Sequence, residues 1–181
     1  MGILDLFNRK NDDSTNVPPK ESNEKAPVEL LPFPKKVMIV VDGSQASYDA
    51  VAYAIAMASR IPDCKLCAAF IVDTANMDLL LQMRIFVSEE RASFENEMET
   101  KGRRTLDFVR AEGLKHDIEI DTYLMKGRVT QIALQAVREL GVEMLIIGGW
   151  HNGSTRKDTS SVEYQLLLDQ ADCPVVVIKH R

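Results

Sequence analysis

The stretch Val37-Met-Ile-Val-Val41, which runs directly into Asp42-Gly43-Ser44, decides the fold class of this chain. Five consecutive apolar residues, four of them β-branched, indicate a strand that is buried on both faces, as strands are in parallel sheets. Gly43 favours a tight turn, and the hydroxyl of Ser44 can cap the helix that follows. Pro62 is predicted to end that helix. The stretch therefore predicts a strand, a turn and a helix, which together form the repeating unit of α/β proteins.

The same alternation repeats along the rest of the chain. Further strands are predicted at 66–72, 118–124, 144–147 and 174–178, and the one at 118–124 alternates as if one face were exposed. A long apolar connection is predicted at 79–87. The helices have these apolar residues: Val51, Ala52, Ile55, Ala58 and Ile61; Phe94, Met98, Leu106 and Val109; Ile132, Ala133, Ala136, Val137 and Leu140, closed by Gly141; and Val162, Leu166, Leu167 and Ala171. This order predicts a parallel sheet with helices on both faces and right-handed crossovers.

The first 35 residues have a different composition. Five of the seven prolines fall there, among polar and charged residues, so 1–35 is predicted to be a flexible tail and 36–181 the folded domain. Within the tail, residues 1–10 form a short amphipathic segment with Ile3, Leu4, Leu6 and Phe7 ahead of two cations. Two alternatives stay open for this segment: an inert chain terminus, or a short helix that docks on a membrane surface or a partner groove.

Composition limits the class of function. A net charge of −5 at pH 7 favours neither nucleic acid nor an anionic membrane as a general partner. No apolar stretch reaches the roughly 18 residues of a membrane span, and no export signal is recognisable. Three cysteines in 181 residues do not make a disulfide framework. We therefore expect a cytoplasmic protein without a nucleic-acid partner, peripheral to a membrane if residues 1–10 dock there.

The predicted sheet also predicts where a ligand binds. In open α/β sheets the crevice lies outside the carboxyl ends of the strands, where the winding reverses. This rule selects Asp42-Gly43-Ser44, 71–73 and Gly148-Gly149, and it places Ser160 and Ser161 at a helix start that favours anions. A plainer interpretation stays open at each place, because the glycines also suit tight turns, and Asp42 and Ser44 also suit helix capping.

Five segments together carry a resemblance to a known family. They are 37–47, Lys126-Gly127, 144–148, 160–162 and 172–177, and in this order they resemble the universal stress protein family over about residues 36–179. The resemblance implies a five-stranded parallel sheet of order 3-2-1-4-5, of the adenine-nucleotide alpha-hydrolase-like kind. It also implies a homodimer, often paired through the last strand, and a role in stress survival and regulation rather than turnover. Many members of the family bind ATP or AMP.

The sequence departs from the pattern of the nucleotide-binding members, which resembles Gly-x-x-Gly, nine residues, then Gly-Ser or Gly-Thr. Gly148 matches the first glycine, but His151 and Ser160 stand at the other two, and the spacing is about one residue short. Side chains at these positions hinder the approach of backbone N–H groups to phosphate oxygens. We expect a remodelled and weak nucleotide site. Two alternatives stay open for the function: a regulatory module that acts through protein partners, or a sensor of ATP or AMP.

The resemblance gives a set of candidate binding residues, in which Asp42 and Ile71 stand at positions like the ribose and adenine contacts. The set is Val41, Asp42, Ser44, Ile71, Gly127, Gly148, Gly149, His151, Gly153, Ser160, Ser161 and Val162. The candidate cofactor is ATP or AMP.

Residues for catalysis are not evident in the sequence. The three histidines lack the spacing of metal ligands, and no Walker-type lysine or general base is recognisable. Cys64-x-x-Cys67 lies at the start of a predicted strand, where an offset of three sends side chains to opposite faces. This predicts one edge cysteine and one core cysteine rather than a redox pair or a zinc half-site. We expect a protein that is not an enzyme, with no catalytic or metal-binding residue.

Overall fold

A computed structural model describes residues 30, 32–82, 88–149 and 159–179, apart from the side chains at 76, 79–81, 88–90 and 159–164. Most of the tail predicted for 1–35, including the segment 1–10, lies outside these residues. The strands and helices belong to the unit that begins at Phe33. The strands are β1 (Lys36–Val41), β2 (Lys65–Asp73), β3 (Ile120–Gly127), β4 (Met144–Gly148) and β5 (Val175–Ile178). The helices are α1 (Gln45–Ala58), α2 (Thr74–Gln82), α3 (Ser88–Leu114), α4 (Val129–Leu140) and α5 (Thr159–Gln170).

The five strands form one parallel sheet in the order β3-β2-β1-β4-β5, as the family resemblance implied. The chain builds outward from β1 through β2 to β3, and it then returns to place β4 on the other side of β1. Ile39 accordingly lies between Ala68 of β2 and Ile146 of β4. The winding reverses between β1 and β4, so the ligand crevice expected for this fold lies at their carboxyl ends.

Alternate side chains of β1 supply two separate cores. Val37, Ile39 and Val41 pack with α1, α2 and α3, whereas Met38 and Val40 pack with α4 and α5. The side chains of β1 are at most 5% exposed, apart from that of Lys36. Burying each large apolar side chain contributes roughly 1.5–3 kcal/mol, so a strand buried on both faces stabilises both cores. Two helical layers on one sheet confirm the predicted architecture.

The two cysteines of Cys64-x-x-Cys67 point to opposite sides of the sheet, as predicted. Cys67 is 1% exposed and packs on the α4 side, whereas the half-buried Cys64 packs on the α1 side. Burial raises the pKa of the Cys67 thiol to about 11, and desolvation also raises the pKa of Cys64. A thiol that remains protonated at neutral pH is a poor nucleophile and a poor metal ligand.

The connection after β2 begins with a helix that the sequence pattern did not reveal. α2 starts at Thr74, directly after the last residue of β2, and Met77 is buried at 4% exposure. Of the connection predicted at 79–87, residues 79–82 are therefore helical, and 83–87 lie outside the described residues. No glycine or proline marks the change from strand to helix, so the usual boundary signal is missing.

Some predicted element boundaries are wrong by a few residues, and two residues that were predicted on apolar helix faces are exposed. α1 ends at Ala58, so Ile61 lies in the following turn, and Ala52 is exposed. β3 starts at Ile120 rather than at residue 118, because the N–H of Ile118 still donates to the carbonyl of Gly113 in α3 and pairing with β2 begins at Ile120. Phe94, predicted on an apolar face, is 40% exposed.

The described helices include none that is both long enough and apolar enough to cross a membrane. α3 has 27 residues, but charged residues recur throughout its length.

Candidate functional site

The turn between β1 and α1 is held by a short network of hydrogen bonds. The backbone N–H of Ser44 donates to Oδ1 of Asp42 at 2.8 Å, and the N–H of Ser47 donates to Oγ of Ser44 at 3.2 Å. The hydroxyl of Ser47 donates in return to the carbonyl of Ser44 at 2.8 Å. The capping interpretation of Ser44 is therefore confirmed. Asp42 is exposed, and within the described part of the chain its second oxygen, Oδ2, has no hydrogen-bond partner.

The end of β4 lies against the start of α1, and Gly148 makes this approach possible. A Cβ at Gly148 would lie 2.6 Å from the backbone N of Ser47 and 2.7 Å from the carbonyl carbon of Ala46. Gly149 is also enclosed, because its N–H donates to the carbonyl of Ile178 at 2.6 Å. Packing of β4 against α1 therefore accounts for Gly148 without a phosphate, whereas a Cβ at Gly149 would meet only moderate crowding, 3.2 Å from the carbonyl of Ile178.

Val41 and Ile71 are strand residues whose side chains are buried on opposite sides of the sheet. Val41 is 2% exposed on the α1 side, and Ile71 is 8% exposed on the α4 side. Gly127 ends β3 beside Asp73 and has φ 138°, and a Cβ there would lie 2.8 Å from Cγ1 of Ile132. Gly127 is thus required by the backbone conformation and by the packing of α4.

Part of the predicted set lies where the structure gives less detail. α5 begins at Thr159, so Ser160, Ser161 and Val162 lie in its first turn, as predicted, but their side chains are not among those described. His151 and Gly153 lie outside the described residues. Among the candidates, the structure brings Asp42, Ser44 and Gly148 together around the start of α1.

Sequence reasoning missed two residues of α3 that lie against the β1–α1 turn. A Cβ at Gly43 would lie 3.0 Å from Cε of Lys101 and 3.2 Å from Oγ1 of Thr105. α3 comes this close because Gly102 packs on the sheet, where a Cβ would lie 2.6 Å from Phe70 and equally close to Leu124. The available signal was the i, i+4 spacing of a lysine and a threonine beside a mid-helix glycine.

Lys126, a second lysine near the carboxyl ends of the strands, has its positive charge balanced by two glutamates. Nζ of Lys126, at the end of β3, lies 2.9 Å from Oε1 of Glu95 and 2.5 Å from Oε1 of Glu99. These hydrogen bonds raise the pKa of Lys126, and the hydrogen bond from Lys126 lowers the pKa of Glu99. The described residues contain no group of three or more His, Cys, Asp or Glu side chains placed to hold a metal ion.

A parallel sheet of this order, with its crevice between the first and fourth strands, defines a doubly wound α/β domain. Residues 34–179 match the family described as the Universal stress protein family. The chain belongs to the universal stress protein family. No curated protein matches it.

Solved structures of the family share this fold. A universal stress family protein from Burkholderia pseudomallei is 21% identical with a TM-score of 0.61, over 80% of this chain and 95% of that one. A family member from Arabidopsis thaliana, solved with AMP bound, is 18% identical with a TM-score of 0.57, over 81% and 92%. A universal stress protein in complex with cAMP is 15% identical with a TM-score of 0.51, over 80% and 96%.

Proposed function

We propose that this protein is a non-enzymatic regulatory module that binds an adenine nucleotide weakly and acts through protein partners as a homodimer. One observation carries the nucleotide part: Asp42 presents an exposed carboxylate at the carboxyl end of β1, where the winding reverses. Its Oδ1 is fixed by Ser44, so Oδ2 can accept hydrogen bonds from the hydroxyls of a ribose. AMP in one relative and cAMP in another support this class of ligand.

Weak binding follows from the residues that would surround the phosphates. Gly148 is accounted for by its packing against α1, so its presence does not indicate a phosphate cradle. At the other two glycine positions of the binding members, His151 and Ser160 add side chains. Fewer backbone N–H groups can then approach the phosphate oxygens closely. We expect dissociation constants on the order of 0.1–1 mM for AMP and ATP.

A non-enzymatic role in the cytoplasm is supported by the state of the reactive groups. All three cysteines are free, which suits a reducing compartment, and the pKa of each is raised. The positive charge of the Lys126 ammonium is balanced by two glutamate carboxylates. Protonated thiols and an ion-paired ammonium are poor nucleophiles, which supports a role without covalent catalysis.

Two surfaces are proposed for partners. β5 is an edge strand whose four residues are all only half-buried, which suits pairing with a second copy of the chain. The segment 1–10, which lies outside the described residues, is proposed to dock on a membrane or a membrane protein, which would place the protein at the membrane periphery.

Calorimetric titration with AMP, ATP and adenosine tests the nucleotide part. Asp42→Asn should weaken AMP and adenosine alike, because both ligands carry the ribose. Asp63→Asn is the matched control, since Asp63 is an exposed turn residue at the amino end of β2 with φ 60°, a conformation that Asn also accepts. Stoichiometric nucleotide in the purified protein would contradict weak binding. No heat at 10-fold above the expected range would contradict nucleotide binding altogether.

A further inference from the structure

Lys101 and Thr105 pack directly against the β1–α1 turn. They come this close because Gly43 has no side chain, and with φ 79° it has a backbone conformation that other residues rarely adopt. Nζ of Lys101 lies 3.6 Å from the place where a Cβ of Gly43 would stand, and Oγ1 of Thr105 lies 3.2 Å from it. An ammonium and a hydroxyl therefore lie next to the start of α1, where the helix dipole adds positive potential.

Neither group is satisfied within the fold. Thr105 is 4% exposed, yet its hydroxyl makes no hydrogen bond in the part of the chain that the structure describes. Over the same residues Lys101 makes neither a hydrogen bond nor an ion pair, in contrast to Lys126. Among the described residues the only fully buried side-chain N or O atom without a partner is Nε of Arg91, so the hydroxyl of Thr105 is accessible from the groove that it lines. Two adjacent donors, one of them charged, are therefore available to a ligand.

The two side chains also line a groove of about 730 Å³ between α3 and the start of α1. Arg104 stands on the same wall, is exposed, and has no ion pair among the described residues. The acidic groups nearby are Glu97 in the groove and Asp42 on the other side of Gly43. Donors on one side of Gly43 and a carboxylate on the other match a ligand that carries a phosphate next to a hydroxylated sugar.

We propose that Lys101 and Thr105 bind a phosphate oxygen of the ligand at the β1–α1 turn. Anion contacts from α3 then compensate for those that His151 and Ser160 weaken in the loop after β4. This inference rests on the proposed function for the identity of the ligand, a nucleoside phosphate. The contact itself depends only on phosphate chemistry, so inorganic phosphate is the second source to be distinguished.

The test compares AMP with adenosine in the full-length protein by calorimetry. Lys101→Met keeps the stem beside Gly43 and removes the charge, so it should weaken AMP roughly tenfold and leave adenosine unchanged. Thr105→Val keeps the shape and should weaken AMP several-fold. Lys115→Met is the matched control, because it removes one exposed lysine just beyond the far end of α3 and should change neither affinity.

Equal AMP affinities for the wild type and Lys101→Met would overturn this inference and leave nucleotide binding intact. If the wild type bound neither AMP nor adenosine, the proposed function would fail. A titration with inorganic phosphate, followed by amide NMR, would then decide whether Lys101 and Thr105 bind phosphate. Shifts at Gly43 and Thr105 that disappear in Lys101→Met would support a phosphate site. The absence of such shifts in the wild type would overturn it.

Discussion

The ring of Phe108 on α3 meets the ring of Tyr48 on α1 edge to face, with centroids 4.9 Å apart and planes at 66°. Phe108 is 45% exposed, so the contact lies at the surface between the two helices. Aromatic pairs of this geometry contribute about 0.5–1.5 kcal/mol beyond the area that they bury.

We expect a double-mutant cycle of Tyr48→Ala and Phe108→Ala, measured by urea unfolding, to give a coupling energy in that range. Tyr53→Ala is the control, since Tyr53 is an exposed tyrosine of α1, 47% accessible. A cycle of Tyr53→Ala with Phe108→Ala should be additive. Additivity of the Tyr48 and Phe108 changes would show that the pair does not join the helices.

Gly148→Ala should destabilise the fold by about 1–3 kcal/mol, because the new methyl group would meet the backbone of Ala46 and Ser47. Backbone atoms cannot move aside as the end of a flexible side chain can. The midpoint of thermal unfolding is the measurement. Gly141→Asn is the comparison: Gly141 has φ 64° with nothing within 4 Å, and Asn accepts that conformation, so a loss of only a few tenths of a kcal/mol is expected.

The Lys126–Glu99 pair should make stability depend on pH in a defined direction. The pKa of Glu99 is lowered in the folded state, so its contribution is present above the ordinary carboxyl pKa and lost as the pH falls through the folded value. The pKa of Lys126 is raised, so its contribution is present below the ordinary lysine pKa and lost as the pH rises through the raised value.

Lys126→Met should therefore lower the urea midpoint at pH 7, by a small amount because the pair is exposed, and the difference should shrink in acid and in high salt. Lys65→Met, at an exposed lysine that starts β2, is the control. A difference that stayed constant from pH 7 down to strongly acid solution would exclude the ion pair as its cause.

Val177→Glu should shift a dimer toward monomer if β5 pairs with a second copy, because a charge on a half-buried edge strand opposes such pairing. Sedimentation velocity measures the mass, and circular dichroism checks that the variant is folded. Thr122→Glu puts the same charge on β3, the opposite edge strand, and should leave the mass unchanged. A monomeric wild type at high micromolar concentration would rule out the homodimer.

Deleting residues 1–30 should leave the melting temperature and the mass of the dimer unchanged, since β1 begins at Lys36. It should weaken co-sedimentation with anionic vesicles, because Ile3, Leu4, Leu6 and Phe7 are removed together with Arg9 and Lys10. Full-length protein with Leu4→Ser and Phe7→Ser should lose the same binding. Unfolding of the truncated protein would mean that the segment is structural.

The strands could be predicted because their signals are local. Residues 37–41 form a continuous apolar run that fixes a buried strand whatever its neighbours are, and Ser44 and Gly141 mark helix ends by their own chemistry. α2 could not be predicted in the same way, because no glycine or proline separates Asp73 from Thr74.

The site was only partly predictable, for a different reason. Asp42 and Gly148 could be selected because a topological rule identifies strand ends from the order of elements alone. Lys101 and Thr105 depend on how closely α3 packs on β2 and β3 at Gly102, which is a distance between segments far apart in the chain. The i, i+4 spacing of Lys101 and Thr105 shows that they share one helical face, but it does not show that this face meets Gly43.

Because Gly148 lies against the backbone of Ser47, a glycine that is retained at this position does not show that a related protein still binds nucleotide. Any substitution there meets the backbone of α1, so selection for stability keeps the glycine even in a lineage that has stopped binding nucleotide. The side chains at positions 42, 101 and 105 have no such protection by backbone packing. Under the proposed function, continued ligand binding would be reflected in the side chains at those three positions, whereas Gly148 would persist in either case.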